Sequence, residues 1–212
     1  MFWFIYQTGW YDYQVAMLMR QDTATDVRTR ILEAALELLG EHGVGKLTQP
    51  NVAKAAGVRQ SHLTYYFPTR PDLLKATALH SIEAMIGMLS ARASEGQLPA
   101  DMLAEIASTM VSDKRRARVV LGLVVASDED REIKGFLRDF VARVRAGISR
   151  VVELLGREAD LENIALFHTL IVGAAVLHIA RDNAASRRES ALIVRFAVEQ
   201  LLLGEPRTAA AK

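Results

Sequence analysis

The chain has no cysteine, which excludes disulfides and thiolate metal sites and suits a reducing cytoplasm. A charge imbalance is also missing: 26 Lys and Arg stand against 25 Asp and Glu, for a net charge of +1. Any polyanion must therefore be met by a local basic patch, not by the molecule as a whole. Strand-like alternation and hairpin turn signals are absent, and no Ser, His and Asp set sits in the glycine-elbow context of a hydrolase. We therefore expect no catalytic residue and no cofactor. What the sequence does have is apolar residues in helical period. Half of its 212 residues are hydrophobic, enough for a sizeable core in one or two domains.

Aromatics make up 7% of the chain, and half of them fall in the opening MFWFIYQTGWYDYQ. This stretch has no basic flank and breaks at Gln7, so it is neither a secretory signal nor a membrane span. Residues 1–22 are read as an N-terminal extension with two explanations. Translation starts instead at Met17 or Met19, or the segment is an aromatic arm that packs on the domain or touches DNA. Residues 206–212 read as a frayed tail.

The most informative stretch is LTQPNVAKAAGVRQSHLTYYFPTRPDLL, Leu47 to Leu74. Thr48 is placed to cap a helix, and Pro50 is tolerated in its first turn. Val52, Ala53 and Ala56 give that helix an apolar face, and Gly57 ends it where positive φ is needed, with Val58 behind the turn. A second helix, roughly Gln60 to Tyr66, stops before Pro68. Leu63 and Phe67 face inward, while Gln60, Ser61, His62 and Thr64 offer polar groups to base edges. That is a helix-turn-helix with its recognition helix. Lys46, Lys54, Arg59, Arg70 and Lys75 supply the local basic patch.

The run AKAAGV followed by L-x-YYFP-x-R-x-x-LL, with TRILEAALELLGEHG upstream, resembles the DNA-binding domain of the TetR family of transcriptional regulators. The likeness spans Thr25 to Leu74, about a quarter of the chain. It implies an all-α fold: a three-helix helix-turn-helix DNA-binding domain at 23–70, then a helical effector-binding and dimerisation domain at 71–205. It further implies a homodimeric repressor in the cytoplasm, released from a palindromic operator in double-stranded DNA by a small apolar or amphipathic effector. Carried over by position, Gln60, Ser61, His62 and Thr64 face bases. Thr48, Gln49, Tyr65, Tyr66 and Arg70 hold phosphates, with Arg59 beside them. Many members have tyrosine where Thr64 stands and small residues near His62, so their operators do not transfer here. Pro50 is unusual at its position. The alternative is a ligand- or partner-binding helical dimer that no longer binds DNA.

Helix-period segments continue through the chain. Helix 1 covers about Asp26 to Glu41 and buries Ile31, Ala34, Ala35, Leu38 and Leu39, and helix 4 runs from beyond Pro68 to about Ala93. After a break at EGQLP come segments near Ala100 to Val111, Lys114 to Ala126, Glu129 to Leu155, Leu161 to Arg181 and Arg187 to Leu203. The resemblance places the effector among helices 4 to 8, with Met85, Met88, Met102, Met110, Phe140, Phe167 and His168 as candidate lining. A methionine stripe also serves as plain core.

LENIALFHTLIVGAAVLHIARD is apolar nearly all round, which demands burial on every side, yet two histidines and charged ends argue against a membrane segment. In the family the last two long helices form the dimer interface. Gly173, Ala174 and Ala175 would allow close approach there, and Ile193, Phe196, Ala197 and Leu201 offer a second face. His168 and His178 lie roughly 15 Å apart along one helix, so they share no metal ion, and no metal site is expected. Asp128, Glu129 and Asp130 suit a helix start after Ser127. Arg115, Arg116 and Arg118 read as a solvated face, with an acidic effector or partner as the alternative. Gly40 to Leu47 nearly matches a phosphate loop, but leucine replaces the required hydroxyl and a helix precedes it.

Overall fold

The structure, a computed structural model, describes residues 26–204. The readings of the N-terminal extension and of the tail fall outside these residues. None of the described residues is in a strand. Helix α1 covers 26–42, and a single 3₁₀ turn, Val44–Lys46, leads into α2 (Gln49–Ala55) and α3 (Gln60–Tyr66). A long α4 (Arg70–Ser94) then enters the body, which comprises α5 (Ala100–Ser112), α6 (Lys114–Glu129), α7 (Arg131–Leu154), α8 (Leu161–Arg181) and α9 (Ala184–Ala197). A wide π-type turn, Val198–Leu202, extends α9.

Each boundary has a local cause. The Thr48 hydroxyl accepts the Asn51 amide at 3.4 Å, with Pro50 in the first turn of α2. Its other end is a Schellman turn: Val58 N–H donates to Ala53 O (3.0 Å), Gly57 N–H donates to Lys54 O (3.2 Å), and Gly57 takes φ 64°. At α4, Thr69 and Asp72 close a reciprocal capping box ahead of Pro71. Asp130 caps α7 by accepting from Glu132 and Ile133 N–H. Because α6 runs through Glu129, Asp128 and Glu129 close that helix, and Asp130 alone begins the next one. Asn183 likewise opens α9 at Ala184, three residues earlier than expected, by accepting the Ser186 amide.

The head is built around a dry centre of Ile31, Leu32, Leu39, Leu47, Val52 and Leu63, all fully buried. Leu32 and Leu36 belong to this core, while Ala34 and Leu38 are only half-buried, so the inward stripe of α1 is rotated from the expected one. The same apolar cluster continues through Leu73, Leu74 and Ala78 of α4 into Val119, Leu123, Ile133 and Phe140 of the body. It therefore crosses residue 70, the expected domain boundary. Leu63 is the pin of the recognition helix, and Leu63→Ala should cost about 2–5 kcal/mol by opening a cavity at its centre. Thermal unfolding would register this as a clear fall in Tm, whereas a change within noise would mean that α3 is not held by this core.

In the body, α4 packs on α7, α6 on α7, α5 on α9, and α8 on α9. By length and composition α8 would pass for a membrane span, at mean hydropathy 1.8. Here it packs within the bundle, with His178 buried and its Nδ1 at 3.0 Å from Ser186 Oγ. Burial is not complete on every side: Leu166, Leu170 and Leu177 face outward, with Gly173 between them. Ala174 and Ala175 are buried inside the chain, where Ala174 O accepts the Ser190 hydroxyl. Of the second face, Phe196 is exposed and Ala197 lies in the core.

Candidate nucleic-acid interface and ligand cavity

Helix α3 presents an inner side, Leu63 with Phe67, and an outer side on which Gln60, Ser61 and His62 are exposed. Arg59, also exposed, stands at its N-terminus. Thr64 Oγ1 donates back to Gln60 O and Ser61 O, both at 3.1 Å, so its methyl is the part left to meet a base. Tyr65 is 81% exposed and meets Tyr66 edge-on, with ring centroids 5.2 Å apart. Tyr66 is half-buried against the head core, a firm seat for its neighbour.

Two residues assigned to phosphates hold the head together instead. Gln49 Nε2 donates to Phe67 O at 2.7 Å and to Pro68 O at 2.9 Å, pinning the exit of α3 to the start of α2. Arg70 donates from Nε to Leu47 O (2.8 Å) and from Nη2 to Val44 O (2.6 Å). Both side chains spend donors on backbone carbonyls of the head, of which Val44 O also accepts the Leu47 amide. Lys75 also leaves the basic patch: it bridges Glu132 of α7 at 2.6 Å and Asp72 at 3.1 Å. The Glu132 carboxylate holds its ammonium above the ordinary lysine pKa, with Asp72 adding to the effect against partial desolvation. Lys46, Lys54 and Arg59 remain exposed around the head.

The body holds a cavity of about 170 Å³ among α4 to α8. Of the candidate residues, Met85, Met110, Phe140, Phe167 and His168 line it. Met88 and Met102 do not. Met88 lies off the α4 stripe of Ala78, Ser81, Ile82, Met85, Ile86 and Leu89 and is exposed. Met102 is half-buried against the body core on another side of α5, where its sulfur accepts from Arg92. Burial pushes the His168 imidazole below its ordinary pKa, and the Arg145 charge adds to this. The ring is therefore neutral at neutral pH.

The three arginines of α6 are not a solvated face. Arg116 lines the cavity and donates from Nη1 to Ser81 O (2.8 Å) and Ser81 Oγ (3.2 Å). Desolvation lowers its pKa from the ordinary arginine value, yet it stays charged. Arg118 donates to Leu39 O and Gly40 O at the carbonyl end of α1, and Arg115 pairs with Glu37 of α1 and with Asp113. Burial works against the Asp113 carboxylate, but these guanidinium bonds prevail and hold its pKa below the usual value. The sequence carried one sign of Arg116 pointing inward: it stands three, four and seven residues before Val119, Val120 and Leu123, on one helical face. Among the described residues, no group of three or more His, Asp or Glu side chains is placed to hold a metal ion.

Comparison with known proteins agrees with this geometry. Residues 31–77 match the family described as bacterial regulatory proteins, tetR family. The HTH-type transcriptional regulator BetI of Brucella canis is 23% identical over 184 residues, covering 84% of this chain and 93% of that one. The fold matches FadR from Bacillus subtilis, solved with stearoyl-CoA, at a TM-score of 0.62 and 17% identity, over 84% of this chain and 99% of that one. It also matches a regulator from Saccharomonospora viridis, solved with choline, at 0.59 and 18% identity, over 83% and 97%. The helix-turn-helix, the helical body behind it and these relatives agree: residues 31–77 carry the DNA-binding domain of the tetR family of bacterial regulatory proteins, and the chain resembles regulators of that family over most of its length.

Proposed function

We propose that this chain is a cytoplasmic, sequence-specific DNA-binding transcriptional regulator that acts as a homodimer and is released from a palindromic operator by a small ligand. The observation that carries the reading is α3, an anchored helix whose exposed face holds Gln60, Ser61 and His62 in front of an exposed Tyr65. Gln60 and His62 can donate to purine edges in the major groove, and the Thr64 methyl can touch a thymine methyl. Thr48, Arg59, Tyr65 and Tyr66 are left to fix the phosphate backbone once Gln49 and Arg70 are set aside.

Dimerisation is supported by the outward stripe of Leu166, Leu170, Gly173 and Leu177 on α8, beside Leu192 and Phe196 on α9. A second copy laid against it places two recognition helices on one duplex. Half-sites about 34–36 Å apart then make the operator palindromic. Ligand response is supported by the apolar cavity and by the relatives solved with choline and stearoyl-CoA. A ligand acts by favouring a head separation that cannot span both half-sites, to the extent of its differential affinity.

The test is selection of random duplex DNA by the purified protein at low salt. An enriched palindrome is expected. His62→Ala should then change the selected bases, Tyr65→Phe should weaken all sites alike, and affinity should fall steeply with added salt as phosphate contacts release counterions. A folded dimer that enriches nothing would favour a helical ligand- or partner-binding dimer instead.

A further inference from the structure

We propose that the cavity takes a small apolar acid, with its carboxylate paired to Arg116 and its tail among Met85, Phe140 and Phe167. This rests on the cavity being the effector site, and it adds the chemistry of the ligand.

The lining contains neither Asp nor Glu, and neither Tyr nor Trp; its polar members are Ser81, Arg116 and His168. A cation entering this space would meet a guanidinium with no lining carboxylate to neutralise it. Two phenylalanines are its only aromatic faces, and Phe140 is already stacked on Phe136 at 6.0 Å. A neutral ligand would leave the partly desolvated Arg116 charge with only a shared carboxylate for a partner. Its nearest carboxylate, Asp113, is 3.7 Å from Nε and is engaged by Arg115 from Nε and Nη2. Arg116 Nη1 is held by Ser81, while Nη2 donates to none of the described residues. A guanidinium oriented by Ser81, with one nitrogen that donates to none of the described residues, is suited to a carboxylate.

His168 stands on α8 across the cavity and, being neutral, offers one ring nitrogen as donor or acceptor without adding charge. The volume limits the tail. At about 170 Å³ the space is close to a cavity of ~150 Å³ that accommodates benzene. One ring with a short chain fits, and a long acyl chain such as stearoyl does not. The site therefore differs in charge preference from the choline-bound relative and in size from the stearoyl-CoA-bound one.

Three probes on one skeleton test this: 3-phenylpropionate, 3-phenylpropanamide and 3-phenylpropylammonium, titrated calorimetrically into the full chain at neutral pH. The acid should bind at least about tenfold more tightly than the amide, as a charge-assisted pair requires, and the amine should give no binding. Arg116→Gln should reduce the acid to the affinity of the amide, while Arg116→Lys keeps the order of the three. Equal affinities for acid and amide, a preference for the amine, or no binding of the acid at millimolar concentration would each overturn the proposal. Should Arg116→Gln not fold, the unmodified protein and Arg116→Lys still decide. Operator affinity measured with and without the acid separates the two claims. An acid that binds without changing operator affinity would sink the effector reading and leave the ligand class standing.

Discussion

Replacing both Leu177 and Phe196 with aspartate should leave a folded chain of 23.4 kDa that no longer pairs and has all but lost its operator. Leu177 is 55% exposed and Phe196 59%, so neither side chain is needed to fill the core of a single chain. Within a dimer they would be desolvated, and four carboxylates would then have to be buried without partners. Only association should suffer. Light scattering would report the monomer mass while circular dichroism keeps its helical signal. Operator affinity should drop by about 10²–10⁴-fold, since each head would then bind its half-site without the other's effective concentration. A double variant that stayed dimeric would mean that copies meet through another face.

This result bears on how much of the molecule was legible in its sequence. The helix-turn-helix could be read because its signals are local: Thr48 caps, Gly57 turns, Pro68 stops, and Leu63 with Phe67 set the inner face within seven residues. The jobs of Gln49 and Arg70 could not be read that way. Their acceptors, Phe67 O and Leu47 O, lie 18 and 23 residues away and become available only when three helices close on one another. A long polar side chain near DNA looks the same in sequence whether it meets a phosphate or a backbone carbonyl.

Helix phase explains the cavity residues. Met85 and Met88 are three positions apart, only about 60° around the helix, so spacing alone groups them; Met88 falls just beyond the edge of the lining stripe and is exposed. The all-round apolarity of α8 was visible, but not its division. One side is buried by α9 and the body, while Leu166, Leu170 and Leu177 stay exposed on the other. The arginines of α6 were misread for a related reason. A charge cluster on a helix is solvated by default, and only the packing of α6 beneath α1 turned two of these side chains into struts and the third into cavity lining.

That packing leads to the second large effect, a weakened ligand response in Arg118→Ala. Arg118 places a cation on the carbonyl end of α1, where the helix dipole favours it, and the neighbouring Arg116, Val119 and Val120 line the cavity. One stretch of α6 thus touches both the ligand space and the head. Gly122 completes the joint, because a Cβ there would come within 2.9 Å of Val44 in the turn below α1. A shift of α6 on ligand binding must move α1 for as long as Arg118 grips it. Without that grip the coupling should weaken, with the Arg115–Glu37 pair and the Gly122–Val44 contact left to join α6 to the head. Coupling between sites is ordinarily worth about 5–150-fold in affinity. In Arg118→Ala the ratio of operator affinities without and with 3-phenylpropionate should fall several-fold towards one, while ligand affinity and dimer mass stay unchanged. A readout that needs no ligand accompanies it: the Gly43 amide, bonded to Leu39 O at 3.0 Å, should exchange faster as the end of α1 loosens. A variant with faster exchange and an intact ligand response would route the coupling through α4, by way of Lys75 and Glu132, instead of through α6.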